Sequence, residues 1–156
     1  MSAEQKTRID WKTFENIAPG IVTALRAIGK SVDDSGLDKS LTELIKLRAS
    51  QLNGCAFCLQ FHLNSARALH VPATKLDLLT TWREVDIFSA RERAALEWTE
   101  TLTLMAQQPI ADLAYAEVRA HFSETETVFL TASISAINAW NRIAGSLRFA
   151  PPIPAH

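Results

Sequence analysis

Two short stretches, Ser89-Ala90-Arg91-Glu92 and Ser123-Glu124-Thr125-Glu126, constrain this chain more than any others. In each, the serine hydroxyl can accept from the glutamate backbone N–H while the glutamate carboxylate reaches back to the serine N–H. Two donors left free at a helix start are thereby satisfied reciprocally, which makes each stretch a helix-opening signal. Apolar residues at helical spacing follow both. The first run carries Leu96, Leu102, Leu104 and Met105 and reads as ending near Pro109; the second carries Val128, Phe129, Ile134, Ile137, Trp140, Ile143 and Leu147.

The rest of the chain has the same punctuation. A pattern from about Trp11 to Gly29 (Phe14, Ile17, Ile21, Val22, Leu25, Ile28) is split at Pro19-Gly20, and Gly29 to Gly36 reads as a loop. Asp38 can cap a helix with Leu41, Leu44, Ile45 and Leu52, which Asn53-Gly54 closes. Another helix opens at Cys55 and runs to about Leu69, where His70-Val71-Pro72 breaks it. Pro72 then opens a short helix containing Leu76, Leu78 and Leu79. Asp112 can cap a segment through Phe122, and Pro151, Pro152 and Pro154 make an extended tail. No alternating pattern between hairpin turns occurs. The sequence therefore predicts an all-α bundle of about six to eight helices in a single domain over residues 1–156, with its core at about 38–149 and a proline-rich tail at 150–156.

Composition narrows the function. With 47% apolar residues, the 156-residue chain can build a core without disulfide staples. Its net charge of -1 argues against nucleic acid or an anionic membrane as a partner, since either calls for a basic excess. No apolar run approaches the roughly 20 residues of a membrane span, and the opening MSAEQKTRID has no leader-like stretch, so a cytoplasmic location is expected. Glycine-rich phosphate-binding motifs are absent, so no nicotinamide or flavin cofactor is expected.

The two cysteines, Cys55 and Cys58, carry the chemistry. Reducing compartments keep structural disulfides rare, and so short a loop would constrain the unfolded chain little. Placed at a helix start, the pair meets free N–H groups and a partial positive charge that favour thiolate over thiol. That argument alone favours Cys55 as the more acidic sulfur. His62 lies four residues beyond Cys58 on the same helical face, where an imidazole can take and return a proton. Glu43, on the preceding helix, can face the pair and orient His62. A zinc site is the main rival reading, with Cys55, Cys58, His62 and Glu43 as ligands, but structural zinc usually draws on a second separated pair. Trp82, Trp98 and Trp140 read as core or interface. Asn138, Asn141 and Arg142 read as groups satisfying helix ends or subunit contacts. His70, His121 and His156 have no constellation around them.

Glu43, Cys55-x-x-Cys58 and His62 in a helical chain of this size resemble the alkyl hydroperoxidase D-like (AhpD-like) branch of the carboxymuconolactone decarboxylase superfamily. The resemblance runs from about Leu41 to Phe149. It includes Phe88-Ser89-Ala90-Arg91-Glu92-Arg93-Ala94-Ala95-Leu96 and Ile137-Asn138-Ala139-Trp140-Asn141-Arg142. It implies an all-α bundle assembling as a trimer or hexamer, and a thiol-dependent peroxidase that takes a hydroperoxide substrate and an external dithiol or reductase as electron donor. Carried over residue by residue, Cys58 is the attacking thiol, Cys55 the resolving thiol, and Glu43 and His62 the proton relay. Phe57 stands where the family's best-known member has a histidine, which removes one proton-handling group. The rival functions are a decarboxylating lyase, by kinship within the superfamily, and a non-enzymatic redox-sensing or zinc-holding helical module.

Overall fold

A computed structural model of the chain describes residues 6–155. The opening residues 1–5 of the stretch read as lacking a leader, and His156, lie outside the described residues. Among these there are eight α-helices, one 3-10 helix and no strand. The helices are α1 (Trp11–Ile17), α2 (Pro19–Asp34), α3 (Lys39–Leu52), α4 (Ala56–Ala68), α5 (Ala73–Asp77), α6 (Ala90–Thr103), α7 (Asp112–His121) and α8 (Glu124–Leu147), with the 3-10 helix at Leu79–Glu84 between α5 and α6.

Both capping boxes form with their reciprocal bonds, at Ser89/Glu92 and Ser123/Glu126. Pro19 starts α2, and Asp38 caps α3 through the backbone N–H groups of Ser40 and Leu41. Four boundaries differ from the sequence reading. The short helix after Pro72 ends at Asp77, so Leu78 and Leu79, read as part of it, lie beyond its end, Leu79 opening the 3-10 helix. Residues 30–34, read as loop, continue α2, because Val32 is buried in the core and Lys30 pairs with Asp34 one turn on; the chain turns instead at Gly36, whose φ of +85° suits glycine. Asp112 does not cap α7: it is the first helical residue, after Ala111, which makes no side-chain cap bond. Helix α6 stops at Thr103, six residues short of Pro109, and Met105 is exposed in the turns that follow.

Helix α3 is the axis of the bundle. It packs on α4, α6 and α8, and eight of its fourteen residues are buried. Three apolar clusters surround it. One joins Leu41 and Ile45 to Trp98, Val118, Phe122, Leu130 and Ile134. A second joins Leu44 and Leu47 to Leu79, Trp82, Phe88 and Leu96. The third contains Ala49, Cys55, Cys58, Ile137, Ala144 and Phe149, flanked by Trp11, Phe14, Phe57 and Trp140. That third cluster holds the dithiol against α3 and α8. No helix among the described residues is long and apolar enough to cross a membrane.

Candidate active site

Asn53 ends α3, and Gly54 reverses the chain in the left-handed region at φ +64°. This tight turn brings Cys55 to the N-cap of α4, with its backbone N–H donating to the Ser50 carbonyl at 3.0 Å. The Cys55 sulfur takes the place usually held by a serine or aspartate oxygen and accepts the backbone N–H of Cys58 at 3.4 Å. Both cysteines are free thiols, exposed by only 2% and 3%. They differ in access: Cys58 borders a cavity of about 640 Å³, and Cys55 does not.

The cavity lies between α2, α4 and α8. Leu25, Phe57, Phe61, Ile137 and Trp140 give it an apolar wall, and Cys58 and His62 are its reactive groups. Phe57 is stacked on Trp11 with ring centroids 6.2 Å apart and meets Phe149 edge-on at 5.3 Å. Phe57 thus serves as part of an aromatic wall.

Glu43 is buried on α3, and its two oxygens are divided. Oε2 lies 2.7 Å from His62 Nδ1, and Oε1 accepts from Lys46 Nζ at 2.9 Å. Burial pushes the Glu43 carboxyl up, but the hydrogen bond and charge of His62, together with Lys46, outweigh it and hold the group below the ordinary glutamate range. The bond at Nδ1 fixes the imidazole ring and leaves Nε2 as its other proton-handling atom.

The dithiol ionises unequally. A hydrogen bond from the Cys58 thiol, opposed by burial and helped by backbone N–H groups and Asn141, lowers the Cys55 thiol to about 7. Cys58 is pushed up, first by giving its hydrogen to Cys55, then by burial and by the adjacent negative charge. The Cys55 thiol is thus held low, in keeping with its place at the helix start, while the sulfur within reach of the cavity is Cys58.

The structure brings Glu43 and His62 into contact, and Cys55 and Cys58 likewise. Asn141, read in the sequence as satisfying a helix end or a subunit contact, does meet the end of α3 but also stands beside the dithiol, which the sequence did not show. It is buried on α8, donates to Ser50 Oγ at 3.0 Å and accepts from Asn53 at 2.9 Å, and the nearby amide favours the ionised form of both thiols. The available signal was a polar residue on the stripe of Ile134, Ile137 and Ala144. Trp82 and Trp98 are buried, as read, and Trp82 also donates to Glu100 at 2.8 Å. Among the described residues no three His, Cys, Asp or Glu side chains converge in a way that could hold a metal ion.

An all-helical bundle that buries a Cys-x-x-Cys pair beside a Glu–His couple, with one sulfur open to a cavity, defines a helical dithiol protein. The model of the carboxymuconolactone decarboxylase family matches residues 19–101. The uncharacterized protein YdfG of Bacillus subtilis is 37% identical over 132 residues, covering 85% of this chain and 90% of its own length. A crystal structure from Agrobacterium tumefaciens, of a protein of unknown function provisionally described as an antioxidant defence protein AhpD, superposes with a TM-score of 0.89 at 39% identity. It covers 96% of this chain and 100% of that one. A peroxidase-related protein of Silicibacter sp. TM1040 shares the fold, with a TM-score of 0.76 at 20% identity over 97% of this chain and 94% of that one. The chain belongs to the carboxymuconolactone decarboxylase family, in its AhpD-like branch.

Proposed function

We propose that the protein is a thiol-dependent peroxidase that cycles the Cys55–Cys58 pair between dithiol and disulfide. The observation that carries this reading is that Cys58 shares the cavity with His62, while its partner Cys55, one helical turn away, does not line it. A hydroperoxide in the cavity meets Cys58. As Cys58 attacks, its hydrogen passes to the imidazole of His62, and the sulfur takes the distal oxygen. The O–O bond breaks, and the alcohol leaves with a proton returned by His62. Cys55 then condenses with the Cys58 sulfenic acid, forming the S–S bond and expelling water. An external dithiol restores both thiols and is itself oxidised. The balance is one hydroperoxide and one dithiol to one alcohol, one water and one oxidised donor.

Support also comes from Glu43, whose bond at Nδ1 stabilises the imidazolium during proton transfer. Self-association into a trimer or hexamer fits the exposed Ile17, Ile21 and Ile28, and light scattering reads it directly. The test of the reaction is a pair of variants. Cys58→Ser abolishes hydroperoxide consumption, and Cys55→Ser accumulates a sulfenic acid that dimedone labels once per chain. Turnover at the wild-type rate in Cys58→Ser refutes the assignment. Thiol alkylation separates this reading from a lyase, whose activity would survive it.

A further inference from the structure

We propose that Asn141 is the hydrogen-bond donor that receives the sulfur anion expelled from Cys55 when an external thiol attacks the Cys55–Cys58 disulfide at Cys58. The inference rests on the dithiol cycle proposed above and concerns its reductive half.

The amide orientation of Asn141 follows from its neighbours. The Ser50 hydroxyl gives its only hydrogen to the Lys46 carbonyl at 2.7 Å, so its oxygen can only accept from Asn141, and the Asn141 atom 3.0 Å away is the nitrogen. The other side agrees. Arg142, which can only donate, bonds Asn138 Oδ1 at 3.1 Å, so the Asn53 atom on that same oxygen at 2.9 Å is a nitrogen. Asn53 Nδ2 also lies 2.9 Å from Asn141 Oδ1, which is therefore the carbonyl. A chain of polar groups from Arg142 to Lys46 thus points the Asn141 N–H groups away from Asn53.

That nitrogen carries two hydrogens, and Ser50 takes one. Asn141 is only 4% exposed and stands one turn from Ile137 and nearly one from Ala144, both of which pack on Cys55 and Cys58. That apolar cluster offers the two sulfurs as side-chain acceptors. A neutral sulfur is a weak acceptor and a thiolate a strong one, so the second N–H favours the state in which a thiolate has been released.

Access sets the direction of attack. Only Cys58 borders the cavity, so an incoming thiolate bonds to the Cys58 sulfur. The Cys55–Cys58 bond breaks with its electron pair left on Cys55, and no proton moves. The anion forms between the Asn141 amide and the Cys58 backbone N–H, which already bonds that sulfur at 3.4 Å. The donor's second thiol then releases it from Cys58. The charged groups around the dithiol are engaged elsewhere. Glu43 holds His62 and Lys46, Arg26 pairs with Glu15, Lys30 with Asp34, Asp33 with Lys39, and Arg142 is turned to Asn138. A neutral amide is left as the group that can answer charge on Cys55.

The test uses the whole protein and no peroxide. Asn141→Asp keeps an oxygen for Asn53 but replaces the amide nitrogen with an acceptor, and Asn141→Leu removes both groups at similar volume. Thiolate absorbance at 240 nm follows the first ionisation of the reduced protein, and stopped-flow follows reduction of the oxidised protein by dithiothreitol. Both variants raise the first ionisation by about one unit or more and slow reduction at least about three-fold per unit, taking leaving-group sensitivity to match that of the attacking thiol. Ser50→Ala, which disturbs the other side of the same amide, does not raise the ionisation. A folded Asn141 variant with wild-type ionisation and reduction rate overturns the proposal. Should neither variant fold, the side-chain amide proton of Asn141 in wild-type protein is followed by NMR against pH; a shift tracking the thiolate supports the assignment, and a flat trace overturns it. Absence of hydroperoxide turnover in wild-type protein would sink the peroxidase reading while leaving these readouts intact, so the two failures are distinct.

Discussion

Replacing Glu43 with glutamine tests the site at its most buried charge. The carboxylate makes two charge-assisted hydrogen bonds, to His62 at 2.7 Å and to Lys46 at 2.9 Å, and the three side chains are 10%, 14% and 19% exposed. Glutamine has one acceptor oxygen and cannot serve both. The oxygen stays with His62, the more enclosed partner, while the Lys46 ammonium turns toward solvent on its flexible stem. One charge-assisted bond is lost and the other becomes neutral on the acceptor side, which together cost about 2 kcal/mol. In a chain of this size that lowers the melting temperature by roughly 4–8 °C. The pH dependence has a definite sign. Because the folded Glu43 carboxyl lies below its unfolded value near 4.5, its contribution is complete above that value and is lost as pH falls through the folded pKa. Urea unfolding of wild type and Glu43→Gln should therefore differ most between pH 5 and 7, and the gap should narrow below about pH 4.5. A gap under about 0.5 kcal/mol at pH 7, or one that stays constant on acidification, refutes the reasoning.

Other perturbations follow from particular positions. Gly29 lies in helical conformation on the cavity wall, and a Cβ there meets nothing within 4 Å. Gly29→Leu should stabilise α2 by up to about 1 kcal/mol in thermal melts, and in turnover assays it should slow a bulky organic hydroperoxide more than hydrogen peroxide. Equal slowing of both would show that the cavity does not admit the substrate. Arg148 closes α8 at φ 56°, ψ 56°, a conformation that costs most residues roughly 1–2 kcal/mol, so Arg148→Gly should raise the urea midpoint. Ser123→Ala removes the acceptor that opens α8 and should lower stability by about 1 kcal/mol, read in the same assay.

The helix starts were legible because local side chains make them. Ser89, Ser123 and Asp38 bond their own first turns, and no distant contact is needed to see this. The end of α2 was hidden because Lys-Ser-Val-Asp-Asp-Ser, between Gly29 and Gly36, has the composition of a loop. What continues the helix is burial of Val32 against partners distant in sequence. The same distinction holds at the site. The spacing of Cys55, Cys58 and His62 follows from helix geometry, and Glu43 could be placed near them because one tight turn joins the two helices. Asn141 was out of reach: it stands 86 positions beyond Cys55, and its orientation is set by Ser50 and Asn53 on α3 and by Asn138 on α8. The cavity was equally hidden, since residues of five separate helices line it.

The sulfur of Cys55 holds the first turn of α4 by accepting the Cys58 N–H, and in the proposed cycle it is also one half of the redox couple. Bonded to another sulfur it would be a poorer acceptor, so disulfide formation should loosen the turn that carries Phe57. That ring lies against Trp11, an indole whose emission responds to its neighbours. The chain thus carries a built-in optical gauge: each oxidation and re-reduction should register as a step in tryptophan fluorescence, without a label and without a coupled assay.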